Sequence, residues 1–274
     1  MVTTLVKMLR FMEAEPSQRE RLFLEFVDAL PPNGVKPVWL GDTHDETAKG
    51  HGSLTNKMPG NQQDKFANVR LFASFNAGQP GARSTFMTTL LAQSEEWHGR
   101  VFRSTTNPDE NERKTTSMQW EELDQTVNPL NWRYHVGMGR LSSHLNELFL
   151  KHPVLSDASA ESLKSIQCDS IHTVMARYRS KEGHSPVLMI QNFSGEALPN
   201  YQINLGELRN LKRVKLIFNS NDQKFFRHWL KEDDDFIAKD PHLAAPPPEF
   251  KLIGDVMIVS SLPPYSAFMI EGKL

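Results

Sequence analysis

One cysteine, Cys168, is present, so no disulfide can form within the chain and covalent cross-linking contributes nothing to its stability. Long apolar runs are also missing. The longest, such as Val187 to Ile190, fall far short of the ~20 residues a membrane helix needs, and no membrane partner is expected. No excess of either charge exists: 31 Lys+Arg stand against 33 Asp+Glu, a formal charge of -2 with an isoelectric point near 6.6. That balance excludes a nucleic-acid partner reached by bulk charge. The opening stretch, MVTTLVKMLRFMEAEPS, has acids where a signal peptide carries its apolar segment. With the single cysteine, this predicts a reducing, cytoplasmic compartment. A G-x-S-x-G elbow and a Gly-rich loop ending in G-K-[ST] are absent, which argues against serine-hydrolase and nucleotide sites. No internal repeat is visible. What remains is ordinary globular material, 39% hydrophobic and 23% charged over 274 residues, enough for one large or two smaller domains.

Two periodicities divide the chain. Leu22, Phe26 and Leu30 recur at i, i+4, i+8 behind Pro16, which predicts an amphipathic helix over 17–30 stopped by Pro31-Pro32. A short apolar strand follows at Val35 to Leu40, then a polar, Gly-containing loop, and then helical spacing again from Asp64 to Asn76. Gln79-Pro80-Gly81 reads as a turn and Thr85 to Ala92 as a second apolar strand. Glu13, Glu15, Glu20 and Glu25 read as an exposed polar face. Residues 93–131 read as a long irregular excursion, and Tyr134 to Phe149 as a further helix ended by His152-Pro153. Beyond it come short runs at Ile171 to Arg179, Pro186 to Phe193, Tyr201 to Leu205, Val214 to Phe218, Phe250 to Ile253, Val256 to Ser260 and Ala267 to Ile270. Turn residues separate them, and strands so spaced predict an antiparallel β-sandwich. Lys231 to Lys239 reads as a solvated charge run and Ala244 to Pro248 as a stiff spacer inside it. The boundary falls near residue 155: α/β over 1–155, all-β over 156–274.

The sharpest chemical feature is Asp42-Thr43-His44-Asp45-Glu46, just past a predicted strand. Strand ends of this kind build active sites in α/β folds because loops converge there on a fixed scaffold. An Asx turn with exposed charges is the plain alternative. Asp42-Thr43-His44 also has the Asp-x-His form of metallophosphatases, but companion ligands are lacking, and neither a metal nor another cofactor is expected. Among the tryptophans, Trp97 and Trp39 adjoin the strand-end loops and suit sugar stacking, although burial accounts for most tryptophans equally well.

The longer string Thr43-His44-Asp45-Glu46, Gly50-His51-Gly52-Ser53-Leu54-Thr55-Asn56-Lys57-Met58-Pro59-Gly60 and Lys65-Phe66-Ala67-Asn68-Val69-Arg70-Leu71 resembles bacterial 1,4-α-glucan branching enzymes of the α-amylase superfamily. The resemblance continues through Pro80-Gly81, Phe86-Met87, Ala92-Gln93 and Glu96-Trp97. It resumes at Leu145 to Leu148, His152 to Leu155, Val187 to Gly195 and Leu262 to Ala267, and is poorest over 98–132 and 221–248. It implies the C-terminal part of a TIM barrel followed by the superfamily's β-sandwich domain, and an α-glucan as ligand. By this resemblance Asp45 is the transition-state carboxylate, His44 and Glu46 contact the sugar, and Trp97 lies at the same site.

Two departures go with it. Retaining glycosidic chemistry needs two further carboxylates, roughly 5 to 5.5 Å apart, as nucleophile and general acid/base. In the family both lie upstream of the His-Asp motif, and the 44 residues before Asp45 lack the motifs that supply them. An ungapped reading also sets Thr88-Thr89-Leu90-Leu91 where the family has Gly-Gln-Glu-Phe. A whole barrel takes at least ~200 residues. The resemblance therefore implies either part of a branching enzyme, inactive alone and completed by a chain supplying the N-terminal barrel strands, or a standalone non-catalytic glucan-binding or scaffold protein.

Overall fold

A computed structural model of the chain describes residues 2–3, 10–28, 38–40, 58–84, 102–104, 116–118, 129–227 and 232–273. Strands β1 (Val2–Thr3), β2 (Val38–Leu40) and β3 (Ala82–Ser84) alternate with helices α1 (Pro16–Asp28) and α2 (Gln62–Ala77). The strands pair in parallel in the order β1-β2-β3, with Val2 opposite Trp39 and Val38 opposite Ala82. Parallel neighbours need a crossover, and a crossover helix runs against its strands. The chain therefore leaves Thr3, Leu40 and Ser84 at one edge of the sheet, and the first turn of α2 stands on that side.

Helix α2 starts at a capping box: Asp64 N donates to Asn61 Oδ1 and Asn61 N to Asp64 Oδ2, both at 3.0 Å. Residues 66–72 are buried round the whole circumference, so the helix is enclosed rather than amphipathic. It stops at Gly78, and Gly81, at φ 100°, makes the turn into β3. After β4 (Phe102–Ser104) and β5 (Thr116–Met118), an antiparallel pair, come α3 (Pro129–Lys151) and α4 (Pro153–Ser156).

The β-rich part forms two sheets. One has five strands: β6 (Leu163–Asp169), β7 (Val174–Arg179), β8 (Val187–Asn192), β10 (Arg213–Asn219) and β13 (Ser266–Lys273), in the order β10-β13-β8-β7-β6. The other has β9 (Leu198–Asn204), β11 (Phe250–Ile253) and β12 (Val256–Leu262), in the order β11-β12-β9. All pairings within them are antiparallel. One side of the larger sheet, with Ala176, Leu188, Ile190, Phe268 and Ile270, packs with Ile203, Met257 and Val259 of the smaller. Its other side, with Met175, Met189 and Met269, shares a core with Phe66, Phe72 and Phe75 of α2 and Met138, Leu141 and Leu145 of α3. Strands β7 and β8 are thus buried on both faces; the Val-Leu-Met-Ile of β8 reads accordingly as an apolar run, whereas β7 carries Arg177 and Arg179 into the interior. Among the described residues no helix is long and apolar enough to cross a membrane.

The three long helices stand where periodicity predicts them, and the antiparallel strands fall on the predicted runs with three differences. The run from Ile171 begins as a turn, with Thr173 at φ 56°, and its strand starts at Val174. Strand β6 has no counterpart among the predicted runs, although Cys168, which lies within it, reads as a strand residue. The predicted charge run holds more than solvated charges: Glu232–Lys239 is a helix, α5, which exposes Asp234, Asp235 and Lys239 but buries Phe236 and Ile237, and α6 (Pro241–Ala244) follows it. In the predicted excursion, β4 and β5 are ordered strands. The strand predicted at Thr85 to Ala92 lies outside the described residues; β3 ends at Ser84, immediately before it.

Gly137 carries one packing consequence. A methyl group there would overlap the Phe226 ring, which is fully buried and stacks over Arg70. Alanine would favour the helix by ~1 kcal/mol, but forcing a ring out of a filled core costs about 1–3 kcal/mol. Gly137→Ala is expected to lower stability in urea titrations despite its better helix propensity.

Candidate functional site

His44, Asp45, Glu46 and Trp97 lie outside the described residues, as do 88–91. Their flanks are described. Leu40, the last residue of β2, delivers the chain to Gly41 and the motif, and Met58, Pro59 and Gly60 return it to the capping box of α2. Trp39 sits mid-sheet, between Val2 and Arg83 of the neighbouring strands. The segment that carries the motif thus leaves the C-terminal end of a strand and rejoins the described chain just before a helix N-terminus, an order in which α/β folds build sites.

Around that helix N-terminus the structure gathers polar side chains from four distant segments. His242 Nε2 lies 2.8 Å from Asp64 Oδ1, and because a carboxylate only accepts, this nitrogen carries the proton. His242 is 2% exposed, so the pair is sheltered from solvent on the histidine side. Asp240 accepts from the Tyr134 hydroxyl at 2.6 Å and from the His242 and Leu243 amides at 2.8 and 3.2 Å, capping α6. Burial, followed by the charge and hydrogen bond of Asp240, holds the Tyr134 phenol well above its usual range. Its ring stacks on Phe66 at 4.0 Å and meets Phe236 edge-on at 5.0 Å. Arg70, wholly buried, donates through Nε to Asn221 Oδ1 at 3.2 Å. Burial pushes its guanidinium below the ordinary value, and Asp240 and Tyr134 oppose that.

These groups anchor rather than react. Both oxygens of Asp64 and of Asp240 accept hydrogen bonds that cap a helix or tie distant segments together, a structural use of each carboxylate. Among the described residues no group of three or more His, Cys, Asp or Glu side chains is placed to hold a metal ion. A pocket of about 300 Å³ is lined in part by Lys151, His152, His184 and Glu271, with His152 Nδ1 3.4 Å from Glu271 Oε1. Its lining holds no tryptophan, tyrosine or phenylalanine to stack on a sugar ring, and it lies by the far end of α3, ~26 Å along the helix from Tyr134. Cys168, half-buried on β6, has its thiol pushed up to about 11, first by burial, which makes it a poor nucleophile.

The sequence reading missed the Asp64, His242, Asp240 and Tyr134 cluster. Local signals existed at both ends, the Asn61 to Asp64 capping box and the Asp240 cap followed by Pro241 at the first helical position. No local signal joins them, since His242 and Asp64 are 178 residues apart.

No protein-family model matches the chain. Among solved structures it resembles the α-amylase of H. orenii, with a TM-score of 0.54 at 12% identity over 99% of this chain and 47% of that one. It also resembles the catalytic module of a glycogen-degrading pneumococcal virulence factor, at 0.57 and 10% identity over 90% and 38%. The fold is therefore that of α-amylase-family enzymes. Among curated proteins it is 32% identical over 188 residues to a 1,4-α-glucan branching enzyme of Chlamydia caviae, covering 67% of this chain and 23% of the relative. With the enzymes of the same name from Oceanobacillus iheyensis and Rhizobium etli it shares 30% over 226 residues and 32% over 204, covering 80% and 72% of the chain. The chain is a relative of the bacterial 1,4-α-glucan branching enzymes and corresponds to their C-terminal part. It spans less than a third of their length: 23%, 31% and 24% of these three.

Proposed function

We propose that this chain is the C-terminal part of a branching-type enzyme that cleaves an α-1,4-glucan and transfers the segment to a 6-hydroxyl, and that by itself it binds glucan without turning it over. The observation that carries this reading is the order of elements: a parallel β-α-β-α-β run, with the His-Asp motif leaving the C-terminal end of its middle strand, followed by an antiparallel sandwich. Residues 1–155 then correspond to the last strands and helices of an α-amylase-type TIM barrel, and 156–274 to its C-terminal domain. Asp45 orients the sugar and favours the distorted transition state, with His44 and Glu46 on the hydroxyls and Trp97 as a stacking face. Among the described residues β1 and β3 are each paired along one side only. Further barrel strands, carrying the nucleophile and acid/base carboxylates, would continue those edges.

Titration of the chain with maltoheptaose tests the binding half. Saturable binding is expected, weakened about 10- to 100-fold in Asp45→Ala, the size of a lost charge-assisted hydrogen bond. Binding that is absent, or that ignores the substitution, refutes the site assignment.

A further inference from the structure

We infer that the seam between the last turn of α2 and strand β7 binds a small monovalent anion of halide size, held by Arg177 and Gln79. The inference is independent of the glucan reading above. Arg177, on the helix-facing side of β7, is fully buried. Among the described residues its Nε and Nη1 find no acceptor, and its Nη2 reaches Gln191 Oε1 only at 3.4 Å. Gln79, just beyond the end of α2, is equally buried, and neither its amide oxygen nor its amide nitrogen has a partner there. Buried polar groups are nearly always paired, so orphans of this kind mark the place of a water or an ion. The two side chains belong to surfaces that touch. The Arg177 guanidinium lies 4.3 Å from the Phe75 ring in the last turn of α2. A Cβ at Gly78 would strike Sδ of Met189, the residue opposite Arg177 in the β7-β8 register.

Charge decides between water and an ion. Arg177 stays protonated at neutral pH even though burial, with the Arg179 charge adding to it, pushes it down to about 9. A buried charge without a counter-charge is strongly unfavourable. The C-terminal end of α2 offers roughly half a negative charge, too little to balance one guanidinium. Arg179 brings a second cation to the same face, where it donates to Ser162 Oγ and the Gly78 carbonyl. Water would pair the donors and leave the charge. Gln79 alone would do the same, with one neutral oxygen for two orphaned N–H groups. An anion meets both needs: it accepts from Arg177 Nε and Nη1 and from Gln79 Nε2, and it neutralises the seam. Phe75, Met175 and Met189 of the close-packed core line this region, which favours a single-atom ion such as chloride over a sulfate or phosphate.

The test follows the thermal midpoint of the full chain as chloride replaces gluconate, an anion too large for the seam, at constant ionic strength. An ion bound only by the folded state stabilises it by mass action, and the wild-type midpoint is expected to rise by about 5 °C between about 1 mM and about 300 mM chloride. Arg177→Met is expected to fold with a midpoint that ignores chloride, since an apolar side chain of similar volume replaces the ion that needs a partner. Gln79→Leu, which removes one donor, is expected to move the chloride dependence to about tenfold higher concentration, and it carries the test should Arg177→Met fail to fold. Crystals grown in bromide are expected to show an anomalous peak between Arg177 and Gln79. A wild-type midpoint indifferent to chloride, an equal rise in Arg177→Met, an unshifted dependence in Gln79→Leu, or bromide peaks confined to the surface overturns the inference and leaves the guanidinium to water or to Gln79 itself.

Discussion

Incubated with amylose, the chain alone is expected to leave the iodine-complex spectrum unchanged over hours, in wild type and in Asp45→Ala alike. The reason is stoichiometric. A retaining transfer passes through a covalent glycosyl-enzyme intermediate, which requires one carboxylate to attack the anomeric carbon and another, roughly 5 to 5.5 Å away, to protonate the leaving oxygen. Asp45, in the role assigned to it, does neither. Among the described residues the acids that cluster are already engaged: Asp64 caps α2 and binds His242, and Asp240 caps α6 and binds Tyr134. The exposed Glu13, Glu15, Glu20 and Glu25 lie on or just before α1, on surface that points to solvent. A turnover-dependent spectral shift that persists in Asp45→Ala would show a catalytic pair elsewhere in the chain and overturn both the inactivity and the role given to Asp45.

Arg179→Met is expected to be the most destabilising single substitution proposed here. Arg179 is fully buried on the helix-facing side of β7. Its Nε donates to Ser162 Oγ at 2.9 Å, its Nη1 to the Gly78 carbonyl at 3.2 Å, and its Nη2 to the Asp157 carbonyl. One planar guanidinium thereby joins β7, the end of α2 and the segment following α4. Methionine fills the volume but leaves buried acceptors unpaired, each costing about 1–3 kcal/mol, so the total is on the order of 3–5 kcal/mol. For a chain of this size that is a fall of roughly 10 °C in the thermal midpoint. Arg179→Lys is expected to recover little, because a single ammonium cannot span diverging acceptors. A loss below about 1 kcal/mol would mean that the guanidinium does not join these layers.

Arg177, two residues earlier on the same face, makes a different contact. Its guanidinium lies 4.3 Å from the Phe75 ring and donates to Gln191 Oε1 at 3.4 Å. Burial, with the Arg179 charge adding to it, pushes it down to about 9. Two cations therefore stand in one apolar seam, and the sequence gives no warning of either, since Arg on a strand ordinarily reads as a solvent-facing residue.

Local pattern was enough for much of this protein. Period 3.6 in Leu22 and Phe26, and in Tyr134 to Phe149, fixed α1 and α3; short apolar runs between turn residues fixed β7 to β13; and the motif string and its neighbours pointed to the α-amylase family. Tertiary structure decided the rest. Strand β6, Leu-Lys-Ser-Ile-Gln-Cys-Asp, pairs with β7 alone at the sheet edge and is exposed or half-exposed beyond Leu163, so it carries no apolar alternation to read. Helix α5 shows one apolar pair, Phe236-Ile237, in a run of acids, and Phe236 finds its partner in the Tyr134 ring. The anchor between His242 and Asp64 closes across 178 residues. Periodicity records which face of a segment meets the core, because that is set by the backbone's own repeat; it holds no record of which distant polar groups meet there, because their pairing is set by how the layers stack.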